Sequence, residues 1–363
     1  MASNAVLVVV VILVAAGMAG VGFYAGYEYR GSPASNPTVV ANSTLSILAA
    51  GTLNTLFPEL ADALVNETPG ISAPTASQTY EGSLNVATAL STLATPADVA
   101  AFADYRIAPQ LLEPTYAPYE IVFGSTPEVL VYNPSIAAFS GINSTNWGDK
   151  LIADVTTHGN APFAVWNDST DPNGYNAIFS LELQGELYGS GTSDYYDPLY
   201  SGGATSPAVP NSATTLIEKE SQAATLISTG VVSAAITYRS YAVLNHMTYV
   251  SFDPIVGLAS NSTTALSDYA TLSTTILSTT GAFTKVQPAP VLFAVTVPMS
   301  APNSALGAAF VHLLLSPEGA AILDQGGAFT PIFPGWCDRP SAVPSVLAPD
   351  VAPMPTWAAA LVP

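Results

Sequence analysis

The chain has 363 residues with 26 acidic against 7 basic side chains, a formal net charge of −19, which excludes a nucleic-acid binder because neutralising phosphates needs clustered Lys and Arg. Only 9% of residues are charged while 49% are hydrophobic, against ~25% charged in ordinary soluble domains, so Ser, Thr, Asn, Gly and Pro must supply most of the polar surface. The lone Cys337 excludes an intrachain disulfide and any cysteine-based metal site, His158, His246 and His312 stand far apart in sequence, and the length suggests about two domains with proper cores.

The first charge is Glu28, and residues 5–24 before it form an unbroken apolar run of 20 residues. As a helix at ~1.5 Å rise this reaches about 30 Å, enough to cross a bilayer core. A cleaved signal peptide and a buried core helix are the rival readings; the signal would want Lys or Arg ahead of a shorter apolar core, and residues 1–4 carry neither. Ala16, Gly20, Gly22 and Gly26 give small-residue spacings that let helices approach closely, and this start resembles that of archaeal pilin-like proteins, whose N-terminal helix forms a filament core. Gly20, Gly22 and Ala25 satisfy a loose dinucleotide fingerprint, but no strand precedes them, so that match is discarded. Five N-x-S/T sequons, at Asn42, Asn66, Asn143, Asn167 and Asn261, fit a glycosylated outer surface. The expectation is a protein held at the cell surface, outside the membrane.

Residues 31–44 read as a polar, Pro-interrupted tether. A short apolar strand at 45–49 then leads through Gly51 and Thr52 into a helix with Leu56, Leu60 and Leu64, ended by Pro69 and Gly70. The pattern returns at 79–81, Gly82 and Ser83, followed by Val86, Leu90 and Leu93. It returns again where 163–166 runs through Asp171, Pro172, Asn173 and Gly174 into Tyr175, Ile178 and Leu181. Helix N-termini carry unpaired N–H groups and about half a positive charge, so they can hold an anion without Lys or Arg. Gly opens the approach and Ser or Thr adds a hydroxyl donor; ordinary turn and cap chemistry accounts for any single such site equally well.

The alternation continues with a strand within 121–132 (EVLVY), a helix over 216–228 closed by Gly230, a strand over 231–238, a β run at 290–298, and helices at 305–315 and 317–323. Residues 189–213, rich in Gly, Ser, Tyr and Pro, read as a surface loop, and past Pro331 the chain becomes Pro-rich. No P-loop, G-x-S-x-G or HExxH occurs, so nothing points to an enzyme.

Read in order, AAGTLNTLF, YEGSLNVA, FADYRIAPQLL, INSTNWGDKL, DPNGYNAIFSLELQGELY, ITYRSYAVLNHMTYVSF, VLFAVTVPMSAPNS and DQGGAFTPIFPG resemble the archaeal-type molybdate/tungstate-binding proteins of ABC importers, over roughly residues 45–344. The resemblance implies a two-lobed α/β fold of the type II periplasmic-binding-protein class, with no cofactor, an oxyanion ligand (tungstate or molybdate) and an ABC permease as partner. On that basis residues 1–30 are the hydrophobic helix, 31–44 the linker, 45–123 with 299–345 the first lobe, 124–298 the second lobe with crossover strands near 121–132 and 290–298, and 346–363 a Pro-rich tail. Carried over residue by residue, the oxyanion site is Gly51 with Thr52 (where the family commonly has Ser), Ser83, Thr170 with Asp171 and Pro172, Glu220, and Tyr238. Carboxylates beside a dianion repel it, unless their oxygens bond the Mo or W centre itself, the role the resemblance implies for Asp171 and Glu220; hard carboxylate oxygens suit a high-valent metal, and sulfate and phosphate cannot expand their coordination this way. Read from the residues alone, Asp171 is a turn-initiating Asp before Pro, Glu220 a solvated helix residue and Tyr238 a core aromatic. The segment NDST at 167–170 departs from the many relatives that carry a further acid there, which bears on local charge and selectivity. The alternative function is a pilin-like filament subunit displaying the same head, self-associating through residues 1–30; a sugar or peptide binder on this fold is a third reading.

Overall fold

The computed structural model describes residues 43–158, 163–203, 206–219, 221–277 and 283–362. The expected hydrophobic helix at 1–30, nearly all of the tether at 31–44, and the site residues Asn42 and Glu220 lie outside the described residues. No single helix among the described residues is long and apolar enough to cross a membrane.

Ile47–Ala50 (β1) is buried at every position, as a parallel strand covered on both faces must be. It runs through one tight turn at Gly51–Leu53 into Leu56–Glu67 (α1). Leu56, Phe57, Leu60, Ala61 and Leu64 make the buried face of α1, the three-and-four spacing of an amphipathic helix. Gln78–Glu81 (β2) passes directly into Ser83–Ser91 (α2), and Val99–Phe102 (β3) follows. β2 and β3 flank β1 in parallel, with Ala50 opposite Glu81 and Ala49 opposite Ala101. Gly51, Gly82 and the segment after Phe102 therefore leave the sheet along one edge.

Ile121–Ser125 (β4) and Glu128–Tyr132 (β5) are two strands where one was expected. Pro127 between them has no N–H to continue a ladder, and there the chain passes from the first sheet to the second. Trp147–His158 (α3), Phe163–Trp166 (β6), Pro172–Tyr188 (α4), Thr214–Ile217 (β7), Ser221–Ser228 (α5), Ala234–Tyr238 (β8), Arg239–Leu244 (α6) and Tyr249–Ser251 (β9) build the second lobe. Its five-stranded sheet has the order β7-β6-β8-β5-β9, with β7 and β8 parallel to β6. The helix expected over 216–228 begins only at Ser221, because the β-branched run Thr214–Ile217 pairs with Phe163–Trp166 instead.

Leu292–Thr296 (β10), Ser304–Leu314 (α7), Pro317–Leu323 (α8), Thr330–Cys337 (β11) and Val351–Pro353 (β12) return to the first lobe. The seven-stranded sheet there has the order β12-β11-β4-β10-β3-β1-β2. β4 and β10, expected as crossover strands, are both inner strands of this sheet; the passages between the lobes are residues 126–127 and the stretch between Val286 and Leu292. The core of this lobe runs along Phe57, Phe123, Phe293 and Phe310, with ring centroids 5.1 to 6.4 Å apart in successive contacts.

Two segments are more integrated than their composition suggests. The end of the chain, expected as a tail from 346, adds β12 in parallel to Gly335–Cys337, and Asp350 meets His312 at 2.6 Å. Its Trp357, Ala358 and Leu361 cover an apolar face made by Tyr105, Val122 and Leu292, which leaving the tail in solvent would expose. The segment 189–213, expected as a surface loop, buries Tyr195, Tyr196, Leu199 and Tyr200, with the Tyr196 and Tyr200 rings stacked at 5.3 Å.

Candidate functional site

The seam between the lobes forms where α2 of the first lobe meets the turn before α4 of the second. A Cβ on Gly82 would lie 2.2 Å from the Thr170 carbonyl oxygen and 3.2 Å from Asp171 Cβ, so only glycine permits this approach. One residue on, the Leu84 N–H donates to the Thr170 carbonyl at 3.1 Å, a direct backbone bond across the lobes. Ser83 is 1% exposed, and its Oγ accepts from the Ala103 N–H at 2.9 Å. That leaves its hydroxyl proton uncommitted among the described residues. Thr52, buried at the end of the neighbouring β1, shares this edge with Gly51.

On the opposite side Asp171 caps α4: its Oδ1 accepts from the Asn173 N–H at 2.9 Å. Burial pushes the Asp171 carboxyl up to about 6, with that N–H bond pulling the other way. Pro172 has no N–H, and the Gly174 N–H donates to the Asp171 carbonyl at 3.0 Å. The Asn173 and Gly174 amides of α4 are thus used by its own cap, and the expectation of a helix N-terminus open to an anion does not hold there: the residue of this turn that meets the seam is an aspartate. Behind it, the Asn173 Oδ1 is buried without a hydrogen-bond partner among the described residues. The Asn176 amide reaches the Tyr238 hydroxyl at 3.5 Å. Tyr238 is fully buried, its ring perpendicular to Phe293 at 5.3 Å. It is therefore a core aromatic whose hydroxyl comes to the carboxyl edge of β8.

The structure brings Ser83, Thr170, Asp171 and Pro172 together, places Gly51 and Thr52 on the adjacent strand end, and sets Tyr238 behind α4 through Asn176. It also adds three residues not singled out from sequence. The Tyr175 hydroxyl donates to Asp104 Oδ2 at 2.8 Å, a second bond between the lobes. Asp104 is paired to Arg106, whose Nη2 lies 2.6 Å from the same oxygen, and the Arg106 Nη1 donates to the Gln287 carbonyl at 2.8 Å. Burial would raise the Asp104 carboxyl, but the charge and hydrogen bonds of Arg106 hold it below the usual carboxylate range. The available signal was the i, i+4 relation of Asp171 and Tyr175, which puts both on one side of a helix start. Among the described residues no group of three or more His, Cys, Asp and Glu is spaced to hold a metal ion.

Of the sequons, Asn66, Asn143 and Asn261 are exposed. Asn167 is half-buried and its amide donates to Glu218 at 3.3 Å.

Residues 45–328 match the family model described as bacterial extracellular solute-binding protein. An uncharacterized solute-binding protein of Petrotoga mobilis is 26% identical over 282 residues, 77% of this chain and 82% of that one. The molybdate/tungstate-binding protein WtpA of Thermococcus kodakarensis is 24% identical over 318 residues, 83% of this chain and 85% of its own. Among solved structures, the periplasmic molybdate-binding protein of Azotobacter vinelandii superposes with a TM-score of 0.52 at 13% identity, covering 78% of this chain and 97% of that one. The sulfate-binding protein SubI of Mycobacterium tuberculosis gives 0.52 at 12%, covering 85% and 90%. At these identities the two structures show a shared fold alone.

Proposed function

Since the chain belongs to the bacterial extracellular solute-binding protein family, we propose that it captures molybdate or tungstate outside the membrane and delivers it to the permease of an ABC importer. The carrying observation is the seam itself: the buried Asp171 of one lobe, which carries a carboxyl group, packs by its Cβ against the Gly82–Ser83 turn of the other. Among the described residues no Lys or Arg charge acts on this carboxyl, and a carboxylate in this position repels a simple tetrahedral dianion. It suits an oxyanion whose metal accepts a further oxygen ligand. The α4 amides are already used by the cap, which favours this carboxylate role over a helix-dipole anion site. Ser83 supplies a hydroxyl donor from the first lobe, Gly51 and Thr52 stand beside it, and Tyr238 adds a hydroxyl from the second. Glu220 is assigned the second metal-directed carboxylate on the sequence resemblance. Sulfate and phosphate would leave both carboxylates unsatisfied, and selectivity follows from that penalty.

Calorimetric titration with tungstate, molybdate, sulfate and phosphate tests the reading. Tungstate and molybdate should bind strongly and the other two weakly, and Asp171→Ala should lose the preference. Equal affinity for all four, or an unchanged preference in the variant, rejects it. Surface tethering and the pilin-like alternative concern residues 1–30 and rest on their sequence; glycans, where attached, belong on the exposed Asn66, Asn143 and Asn261 rather than on Asn167.

A further inference from the structure

Beside the two passages between the lobes lies another cavity, of about 390 Å³. Thr126 and Pro127 of one passage and Pro290 and Val291 of the other form part of its wall, with the strand ends Ser125 and Leu292; Arg239, Leu258 and Asn261 come from the second lobe, and Thr330, Ile332, Trp336 and Trp357 from the first. None of the seam residues lines it. Arg239 opens α6, and its backbone N–H donates to the Pro127 carbonyl at 2.8 Å, so its position is tied to one of the passages. Its Nε is buried and has no hydrogen-bond partner among the described residues.

The other two described arginines show how unusual this is. Arg106 lies 2.6 Å from Asp104 and Arg339 lies 2.7 Å from Glu113, whereas no carboxylate among the described residues pairs with Arg239. In a chain with 26 acidic and 7 basic side chains, acids are plentiful. A guanidinium that lines a cavity, with no carboxylate beside it and its Nε unpaired, points to an acceptor supplied from outside. Most of the remaining wall is apolar or aromatic, with Ser125, Thr126, Asn261 and Thr330 its uncharged polar members; the Trp336 and Trp357 rings stand perpendicular at 5.9 Å, beside Leu258 and Ile332. One positive group in such a wall matches one negative charge on an apolar body. A multiply charged oxyanion would meet a single cation there and keep its further charge unneutralised in a mostly apolar wall, which is costly.

We propose that this cavity is a second ligand site, for a small organic monocarboxylate with an aromatic or aliphatic body, its carboxylate on Arg239 and its body against Trp336 and Trp357. The site is independent of the oxyanion reading, since it shares no residue with the seam.

The test uses the full chain and tryptophan fluorescence at constant ionic strength, with phenylacetate, the neutral phenylacetamide and sulfate as probes. Phenylacetate should give a saturable change, with phenylacetamide and sulfate at least ~10-fold weaker, the difference one charge-assisted contact makes. The phenylacetate response should persist in Asp171→Ala, disappear in Arg239→Gln, and weaken in Arg239→Lys, which keeps the charge but loses the planar fork. Should Arg239→Gln not fold, the Arg239→Lys and Trp357→Ala variants carry the comparison, both binding phenylacetate more weakly than the parent. No saturable response to phenylacetate, an equal response to phenylacetamide, or full affinity in the Arg239 variants overturns the proposal. Loss of tungstate binding in Asp171→Ala with phenylacetate binding intact separates the two sites.

Discussion

Gly82 and Tyr175 are the residues on which contact between the lobes depends most directly. A methyl group at Gly82 would meet the Thr170 carbonyl at 2.2 Å, a backbone atom that cannot swing away. Gly82→Ala should therefore hold the seam open and weaken tungstate binding by at least ~10-fold, while leaving the melting temperature nearly unchanged; calorimetry and thermal unfolding on the same variant read both. Tyr175→Phe removes the hydroxyl that bonds Asp104, a bond to a charged group worth ~1.5–3 kcal/mol. Asp104 keeps Arg106, so the loss should appear in closure and in tungstate affinity rather than in the fold of either lobe. Ser83 and Asp171 were legible in the sequence because each begins a helix, and helix starts have a local grammar of small, capping and Pro residues. The Asp104–Tyr175 bond was not, because it joins residues 71 positions apart on different lobes, and nothing local to either residue records such a meeting.

Elements followed the same division between local and distant causes. α2, α4 and α8 start close to where their Gly-Ser, Asp-Pro and Ser-Pro signals place them, since capping is decided within four residues. The helix expected over 216–228 takes in the last two residues of β7, which are strand because a parallel partner, β6, rather than their own periodicity, decides their state. β12 looked like a tail because its Pro-rich composition conceals a three-residue pairing with β11. Packing between elements is where stability can be tested: Phe57 on α1 is fully buried and meets Phe310 on α7 at 5.1 Å and Phe123 on β4 at 6.0 Å. Phe57→Ala should destabilise the chain by ~3–5 kcal/mol, the usual effect of emptying an aromatic core position. Urea unfolding should show this as a lower midpoint, and a change below ~1 kcal/mol would mean that α1 is not part of the cooperative core.

At the scale of the whole molecule, the buried carboxyl groups act together. Burial raises Glu113 to about 8, reinforced by Asp338 and opposed by Arg339, and raises Glu182 to about 7 and Asp168 to about 6; Asp171 reaches about 6 and Glu120 is pushed well up by burial. A carboxyl raised on folding binds a proton in the native state that the unfolded chain has released. Stability therefore falls as pH rises from the ordinary glutamate value of 4.5 towards about 8, and the growing self-repulsion of a chain at −19 acts in the same direction. Asp104, held low by Arg106, behaves oppositely and gives up its contribution only in stronger acid. The melting temperature at fixed ionic strength should accordingly rise on going from pH 8 to pH 5; a steady fall over that range would contradict the assignment. The backbone bond from Leu84 to Thr170 has a kinetic meaning as well. Two neutral peptide groups hold the lobes together there, and a solute bound at the seam must wait for them to part. Capture should then be gated: in stopped-flow mixing, the observed rate should level off at high solute concentration, at the frequency with which the clamp opens.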